Sequence, residues 1–492
     1  MRHLLLVVAG LAVCPARARA QQPAPAALSL VDAITIARAH NPAYRQSLNN
    51  RGPAAWAARG AFTSLLFPTV TASGGLAYSG PGQQRFLTTD FSQSVATLSS
   101  SYSLGLSWEW SGSTLSQPGL KQAQESATEA DIAGAATGLV NAVTQQYLTV
   151  LQARENAEVA RRQLERNEQF LQLAQARYAV GRATLIDVRQ AQVARGQAEV
   201  TLLRTQTAVS VEKLRLFEQL GVSAPVDVQT VQLTDTFAVI APAWKLDQLL
   251  TMAEAQNPSL EALRARERAA GWGVKAAASS FGPSVSLSAQ WSGFTQKFTD
   301  VDPIIRGQQA AYGQQYNDCL DNNTIRTNAG LAPNDCSGLV WGSANEQALR
   351  SQNAQYPFQF TRQPFQARLT VSLPIFTNFA RATQLSEARA QHGDVAESVR
   401  ARGLAVQTEV SQAYLTLETA YRAIAIQDTN RTAAREQLEL ATERYRVGSG
   451  TFFELLDAQV ASLRAESDYV SAVYDYHKAL AALEAAVGRP LR

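Results

Sequence analysis

The sequence predicts a mixed α and β membrane protein, an internal duplication whose strands are completed by further copies of the chain. Three observations carry this. First, Arg177-Tyr-Ala-Val-Gly-Arg-Ala-Thr-Leu-Ile-Asp187 is nearly repeated by Arg444-Tyr-Arg-Val-Gly-Ser-Gly-Thr-Phe-Phe-Glu454. Tyr178, Gly181, Thr184 and Asp187 fall opposite Tyr445, Gly448, Thr451 and Glu454 at one offset of 267 residues (445 − 178), and a fixed internal offset marks a repeat architecture. Second, four stretches change from a helical period to strict alternation. Third, an Ala-rich segment with helical periodicity runs for about sixty residues after each pair of those strands, long enough at about 1.5 Å per residue to project well beyond a bilayer.

The start of the chain reads as an export signal. Arg2 and His3 give a charged region, Leu4 to Val13 an apolar one, and Ala18-Arg19-Ala20 a small-residue cleavage site before Gln21. About ten apolar residues are too few for a membrane anchor. Leu11-Ala-Val-Cys14 leaves a lipoprotein reading open, although Val13 is bulky where such sites use a small residue. The formal net charge is +3, and Arg2, Arg17 and Arg19 fall in this acid-free segment, so the remainder is near neutral. A neutral chain gives no reason to expect a nucleic-acid partner.

A Pro/Ala linker (21–27) precedes the first repeat (28–221). Ser29 is placed to cap a helix from Leu30, and both this helix and its twin from Trp244 reach an Asn-Pro pair, at Asn41 and Asn257, where the helix breaks or restarts. The strands are expected at about 68–79, 97–110, 283–294 and 365–374. In the first, Val70, Ala72, Leu76 and Tyr78 alternate with Thr69, Thr71 and Ser73; in the second, Leu104, Leu106, Trp108 and Trp110 alternate with Ser103, Ser107 and Glu109. Val285, Leu287 and Trp291 alternate with Ser284, Ser286 and Ser288, and Ala367, Leu369 and Val371 with Arg368, Thr370 and Ser372. A half-buried soluble sheet shows the same period. The aromatic ends of the apolar faces (Tyr78, Trp108, Trp110, Trp291, Phe376) and the small hydroxyls opposite them favour a membrane barrel. Four strands cannot close a barrel, and an open sheet edge in lipid leaves backbone groups unpaired. Oligomerisation is therefore required.

The loop 295–364 is long and amide-rich, and is expected outside the cell. It holds Cys319 and Cys336, which in an exported chain favour a disulfide over a metal site or a nucleophile; two free thiols are the alternative. An inter-repeat linker (222–243) runs as a belt outside the helices, and the second repeat occupies 244–488. Helices from Gly119 to Tyr178 and from Ala380 to Tyr445 meet their return helices, Ile186 to Leu220 and Phe453 to Val487, at the two Gly-containing turns. No catalytic constellation or metal spacing is present, and no enzyme activity or cofactor is expected.

The duplicated helix–strand–strand–helix plan with two Arg-Tyr-x-Val-Gly-x-x-Thr turns resembles the TolC-type outer-membrane efflux factors over nearly the whole mature chain. The resemblance implies a homotrimer with a twelve-stranded β-barrel in outer-membrane lipid, continuous with a long periplasmic α-helical barrel. It further implies a duct for drugs, small molecules or proteins, working with a periplasmic adaptor and an inner-membrane transporter of a tripartite efflux or type I secretion system. Val180-Gly181 and Val447-Gly448 match the tips where adaptors dock, although each Gly is also explained by a positive φ at a helix end. Glu454 and Asp457 match the acids that ring the periplasmic gate, and Asp187 and Tyr445 a pair that locks the coiled coils. Where some members place an Arg in that lock, this chain has Gly450. Thr184…Asp187 and Thr451…Glu454 also read as capping boxes, so Glu454 is divided between capping and gating, whereas Asp457 lies one turn further in. A surface-displayed adhesive barrel and a soluble periplasmic coiled-coil scaffold are the competing functional classes.

Overall fold

The computed structural model describes residues 27–86, 89–93 and 95–491. The expected signal segment 1–20, Cys14 and linker residues 21–26 lie outside the described residues. In chain order the elements are β1 (Ala27–Leu28), α1 (Leu30–His40), α2 (Pro42–Asn49), α3 (Arg51–Leu66), β2 (Thr69–Ser79), β3 (Gly82–Phe86), β4 (Thr89–Gln93) and β5 (Thr97–Trp110). There follow α4 (Gly112–Ala179), α5 (Leu185–Leu220), β6 (Gln232–Leu233), α6 (Leu246–Gln256), α7 (Pro258–Ser279) and β7 (Ser284–Phe298). The chain ends with α8 (Asp302–Asn328), α9 (Ser343–Asn353), β8 (Thr361–Arg362), β9 (Gln366–Ser372), α10 (Ala380–Val447) and α11 (Phe452–Val487). Two compact units result: one from the segment up to Ala57 with Leu120–Gly271 and Arg389–Arg492, the other from Ala58–Gly119 and Trp272–Ala388.

In the helical unit, each repeat closes around its Asn-Pro break. Ser29 and Asp32 form a reciprocal capping box at the start of α1, which holds Ala33 and Ala37 against Val143 and Tyr147 of α4 and Leu216 and Leu220 of α5. The second repeat builds the same cluster from Leu249 and Ala253 of α6, Val406, Val410 and Leu417 of α10, and Leu480 and Leu483 of α11. The Asn41 amide donates to the Gln219 carbonyl at 2.8 Å, and Asn257 to that of Ala486 at 3.0 Å. Each Asn thus fastens the helix break to the far end of the return helix, while its Oδ1 accepts from the restarting helix. The linker passes through a 3-10 turn (Val228–Thr230), and β6 pairs in parallel with β1.

The other unit is an antiparallel sheet in the order β2-β5-β7-β9, with the short β8 also on β7. The registers are unbroken: Val70, Leu106 and Ala289 share one row, and Thr69, Ser107, Ser288 and Arg368 another. Apolar meets apolar and polar meets polar through the part of the sheet nearer the helices, because the side-chain period of two is kept in register; towards the other end Leu98 faces Lys297 and Ser101 faces Phe294. β2 and β9 are the free edges. The first inter-strand loop forms a β3–β4 hairpin. The loop 295–364 holds two helices, and Cys319 and Cys336 in it are disulfide-bonded. Asn353 pins α9 to the end of β7, accepting from the Phe298 amide at 2.7 Å and donating to its carbonyl at 3.0 Å. Among the described residues no helix is long and apolar enough to cross a membrane.

Candidate functional site

The two tip turns lie in the helical unit, where α4 passes to α5 and α10 to α11. Gly181 and Gly448 have φ of 72° and 90°, a conformation that costs an L-residue about 1–2 kcal/mol. In the second turn the Arg444 carbonyl accepts from the amides of Gly448 at 3.1 Å and Ser449 at 2.9 Å. A shared apolar cluster joins the tips: Phe170, Ala174, Val188 and Ala191 from one repeat, Leu438, Tyr445, Phe452 and Leu455 from the other.

The repeats differ in what their acids do. Thr184 and Asp187 close a complete capping box, Asp187 N–H donating to Thr184 Oγ1 at 3.2 Å and Thr184 N–H to Asp187 Oδ2 at 2.8 Å. At the second tip only half of the box forms. The Glu454 amide donates to Thr451 Oγ1 at 3.2 Å, but the Glu454 carboxylate turns to Arg444, 3.9 Å away, rather than to the Thr451 amide. Two capping boxes are expected from the pattern and one is complete, because Arg444 offers the second acid a cation. Asp457 is exposed on α11, with no ion pair among the described residues. Gly450 is filled in from both sides: a Cβ there would lie 3.0 Å from Arg444 Cβ and 3.1 Å from Glu454 Oε2. A side chain in that lock would be tight in this arrangement, with Arg444 or Glu454 having to give by a few tenths of an ångström.

Tyr445 is buried, its ring edge-on to Phe452 at 5.6 Å. Its hydroxyl has no hydrogen-bond partner among the described residues. Burial first, and then the Asp187 carboxylate, push the phenol above its ordinary range, while Arg177 acts in the opposite sense. Asp187 and Tyr445 are thus within electrostatic reach but not hydrogen-bonded. The contact between tips is instead made by Arg177, whose guanidinium lies over the Tyr445 ring and donates to the Tyr445 carbonyl and, at 3.0 Å, to that of Arg182. Arg177 escapes a reading for acids and glycines. The repeat offset does point to it, since it stands opposite Arg444. Outside this shared core the tips are apolar and open: Val180 and Val447 are 69% and 70% exposed, Ile186 and Phe453 65% and 66%. No cluster of His, Cys, Asp or Glu suited to a metal occurs among the described residues.

Residues 33–222 and 340–489 match the outer membrane efflux protein family, one match in each repeat. The chain belongs to that family. The outer membrane efflux protein BepC of Brucella suis biovar 1 is 24% identical over 335 residues, 67% of this chain and 60% of the relative, so the match spans less than two thirds of BepC. The outer membrane protein VceC of Vibrio cholerae superposes with a TM-score of 0.68 at 18% identity, over 94% of this chain and 97% of that one. The open state of the outer membrane channel MtrE of Neisseria gonorrhoeae gives 0.66 at 20%, covering 94% and 89%. At these identities the structures establish the fold, which is that of outer-membrane channels. This family member is an outer-membrane protein, and its family is one of efflux channels rather than enzymes.

Proposed function

We propose that the chain is the outer-membrane exit duct of a tripartite efflux or type I secretion system. In this reading it is a homotrimer that passively conducts drugs, small molecules or proteins delivered by an inner-membrane transporter through a periplasmic adaptor. The observation that carries the reading is the sheet with two free edges. β2 and β9 run antiparallel to one another, so β9 of one copy can pair with β2 of the next without breaking the alternation, and closure removes the edges that lipid does not tolerate. Three copies give twelve strands.

The tips supply the remaining parts. Val180, Gly181, Val447 and Gly448 form two exposed apolar turns, one from each repeat, of the kind an adaptor hairpin could cover. Asp457, with no ion pair among the described residues, is the stronger gate acid, and Glu454 reaches the gate only by leaving Arg444. Asp187 and Tyr445 stay in the lock as a pair within electrostatic reach, with Arg177 over the Tyr445 ring. The test is native mass and planar-bilayer conductance of the detergent-extracted protein, with export measured in a deletion strain. A trimer with cation-preferring conductance that weakens in Glu454→Gln/Asp457→Asn is expected. Extraction without detergent, or a trimer that does not conduct, overturns the reading.

A further inference from the structure

The polar face of the sheet is made mainly of small hydroxyl and amide side chains, with Phe294 and Phe298 towards one end, and it carries two charges. Glu109 stands on β5 and Arg368 on β9, both exposed and neither in an ion pair among the described residues. The other charges of these strands, Lys297 and Arg362, have the parity of the apolar face and lie towards the opposite end of the sheet, Lys297 opposite Leu98 and Arg362 opposite Gly293. Glu109 is opposite Ser286, and Thr370 is opposite the same Ser286, while Arg368 is opposite Ser288. The acid and the base are therefore two strands apart and two residues apart along the strand, about 10 Å by about 7 Å at standard spacings. That exceeds the Debye length of about 8 Å at physiological ionic strength, so the two charges act separately on a passing ion. Both sit towards the end of the sheet where the strands meet helices, Glu109 one residue before the end of β5.

Closure fixes the rest of the pattern. With the order β2-β5-β7-β9, the strand after β9 is the β2 of the next copy, and the one after that is its β5. The step from Arg368 to the next Glu109 is two strands, the same as the step from Glu109 to Arg368. We infer that Glu109 and Arg368 form a ring of evenly alternating charge in the wall of the closed barrel and set the charge selectivity of the barrel segment. Glu109 favours cations, Arg368 favours anions, and together they leave the wall without net charge. The inference rests on the trimeric-duct reading.

The experiment uses the full-length trimer carrying Glu454→Gln/Asp457→Asn, so that the acids of the tip do not dominate, with reversal potentials read in a KCl gradient near 0.1 M. Adding Glu109→Gln shifts the permeability ratio towards anions, Arg368→Gln shifts it towards cations, and the double change returns it to the parent value. Both shifts fade near 1 M salt, where the Debye length falls to about 3 Å. A conducting trimer whose ratio is unmoved by either change, or moved in the same direction by both, overturns the ring alone. Native mass that shows no trimer, or a trimer that does not conduct, overturns the duct reading and the ring with it.

Discussion

Arg177 lies over the ring of Tyr445, its guanidinium carbon 4.4 Å from the ring centroid, and so one repeat's tip grips the other's. The same guanidinium is hydrogen-bonded to a carbonyl on each side of the junction, at Tyr445 and Arg182. A half-buried cation–π contact and charge-assisted hydrogen bonds together are worth about 2 kcal/mol. Arg177→Ala is expected to loosen the turn from Tyr445 to Gly450, raising amide exchange there roughly 30-fold for a loss of that size. Arg177→Lys keeps the charge but not the planar fork and should fall between. Unchanged exchange in the alanine variant would show that the apolar cluster alone holds the tips.

Alkaline pH gives a second test. The Tyr147 hydroxyl is buried and donates to the Leu28 carbonyl at 2.9 Å, and burial pushes its phenol up to about 12. Above the ordinary value near 10 the unfolded chain loses this proton first, so the stabilisation is complete below pH 10 and is lost as pH rises towards 12. The loss is about 3 kcal/mol for two pH units. The thermal midpoint should fall steeply over that window, and less steeply in Tyr147→Phe, which starts lower because it lacks the hydrogen bond. Parallel pH profiles for the two proteins would remove Tyr147 as the cause.

The parts of the fold legible in the sequence are those with an unambiguous period. The strands announce themselves because Val70, Leu104, Leu287 and Leu369 each belong to a run in which one face is apolar, and Ser29 marks a helix start by the chemistry of its cap. The helices α8 and α9 do not, because α8 buries only Ile305 and so carries no apolar stripe. The tip was partly legible. Glycine at a forced turn is readable from residue type, whereas Glu454 turning to Arg444, and Arg177 reaching across to Tyr445, depend on which cation is nearest in space.

The helices of the 295–364 loop are held by a small number of ties, the first being the Cys319–Cys336 disulfide across 17 residues. On the chain-entropy view a loop of this size is worth about 3 kcal/mol. Cys319→Ser/Cys336→Ser is expected to open α8 to limited proteolysis between residues 302 and 353 while the strands stay protected, since no strand register involves either cysteine. Cleavage at the same rate as in the parent protein would show that Asn353 and the Arg350–Asp302 pair, at 2.7 Å, hold the module by themselves.

Deeper along the bundle, Glu466 of α11 is buried between Arg435 of α10 at 3.2 Å and Arg166 of α4 at 3.7 Å. It thereby links the helices of one repeat to those of the other. Burial lowers the Arg166 guanidinium from its ordinary value, the Glu466 charge opposing that shift, and one Glu466 oxygen is left without a hydrogen bond. Removing one partner of a buried ion pair costs about 3–5 kcal/mol, because the other charge is left uncompensated, whereas replacing the group with apolar side chains is often neutral. Glu466→Leu alone is therefore expected to lower the thermal midpoint of the detergent-solubilised protein sharply, and Glu466→Leu/Arg166→Leu to recover most of the loss. Arg435→Gln should cost less than Glu466→Leu, since its side chain is 53% exposed and water can take over. A Glu466→Leu protein as stable as the parent would mean that the triad contributes nothing to holding the repeats together.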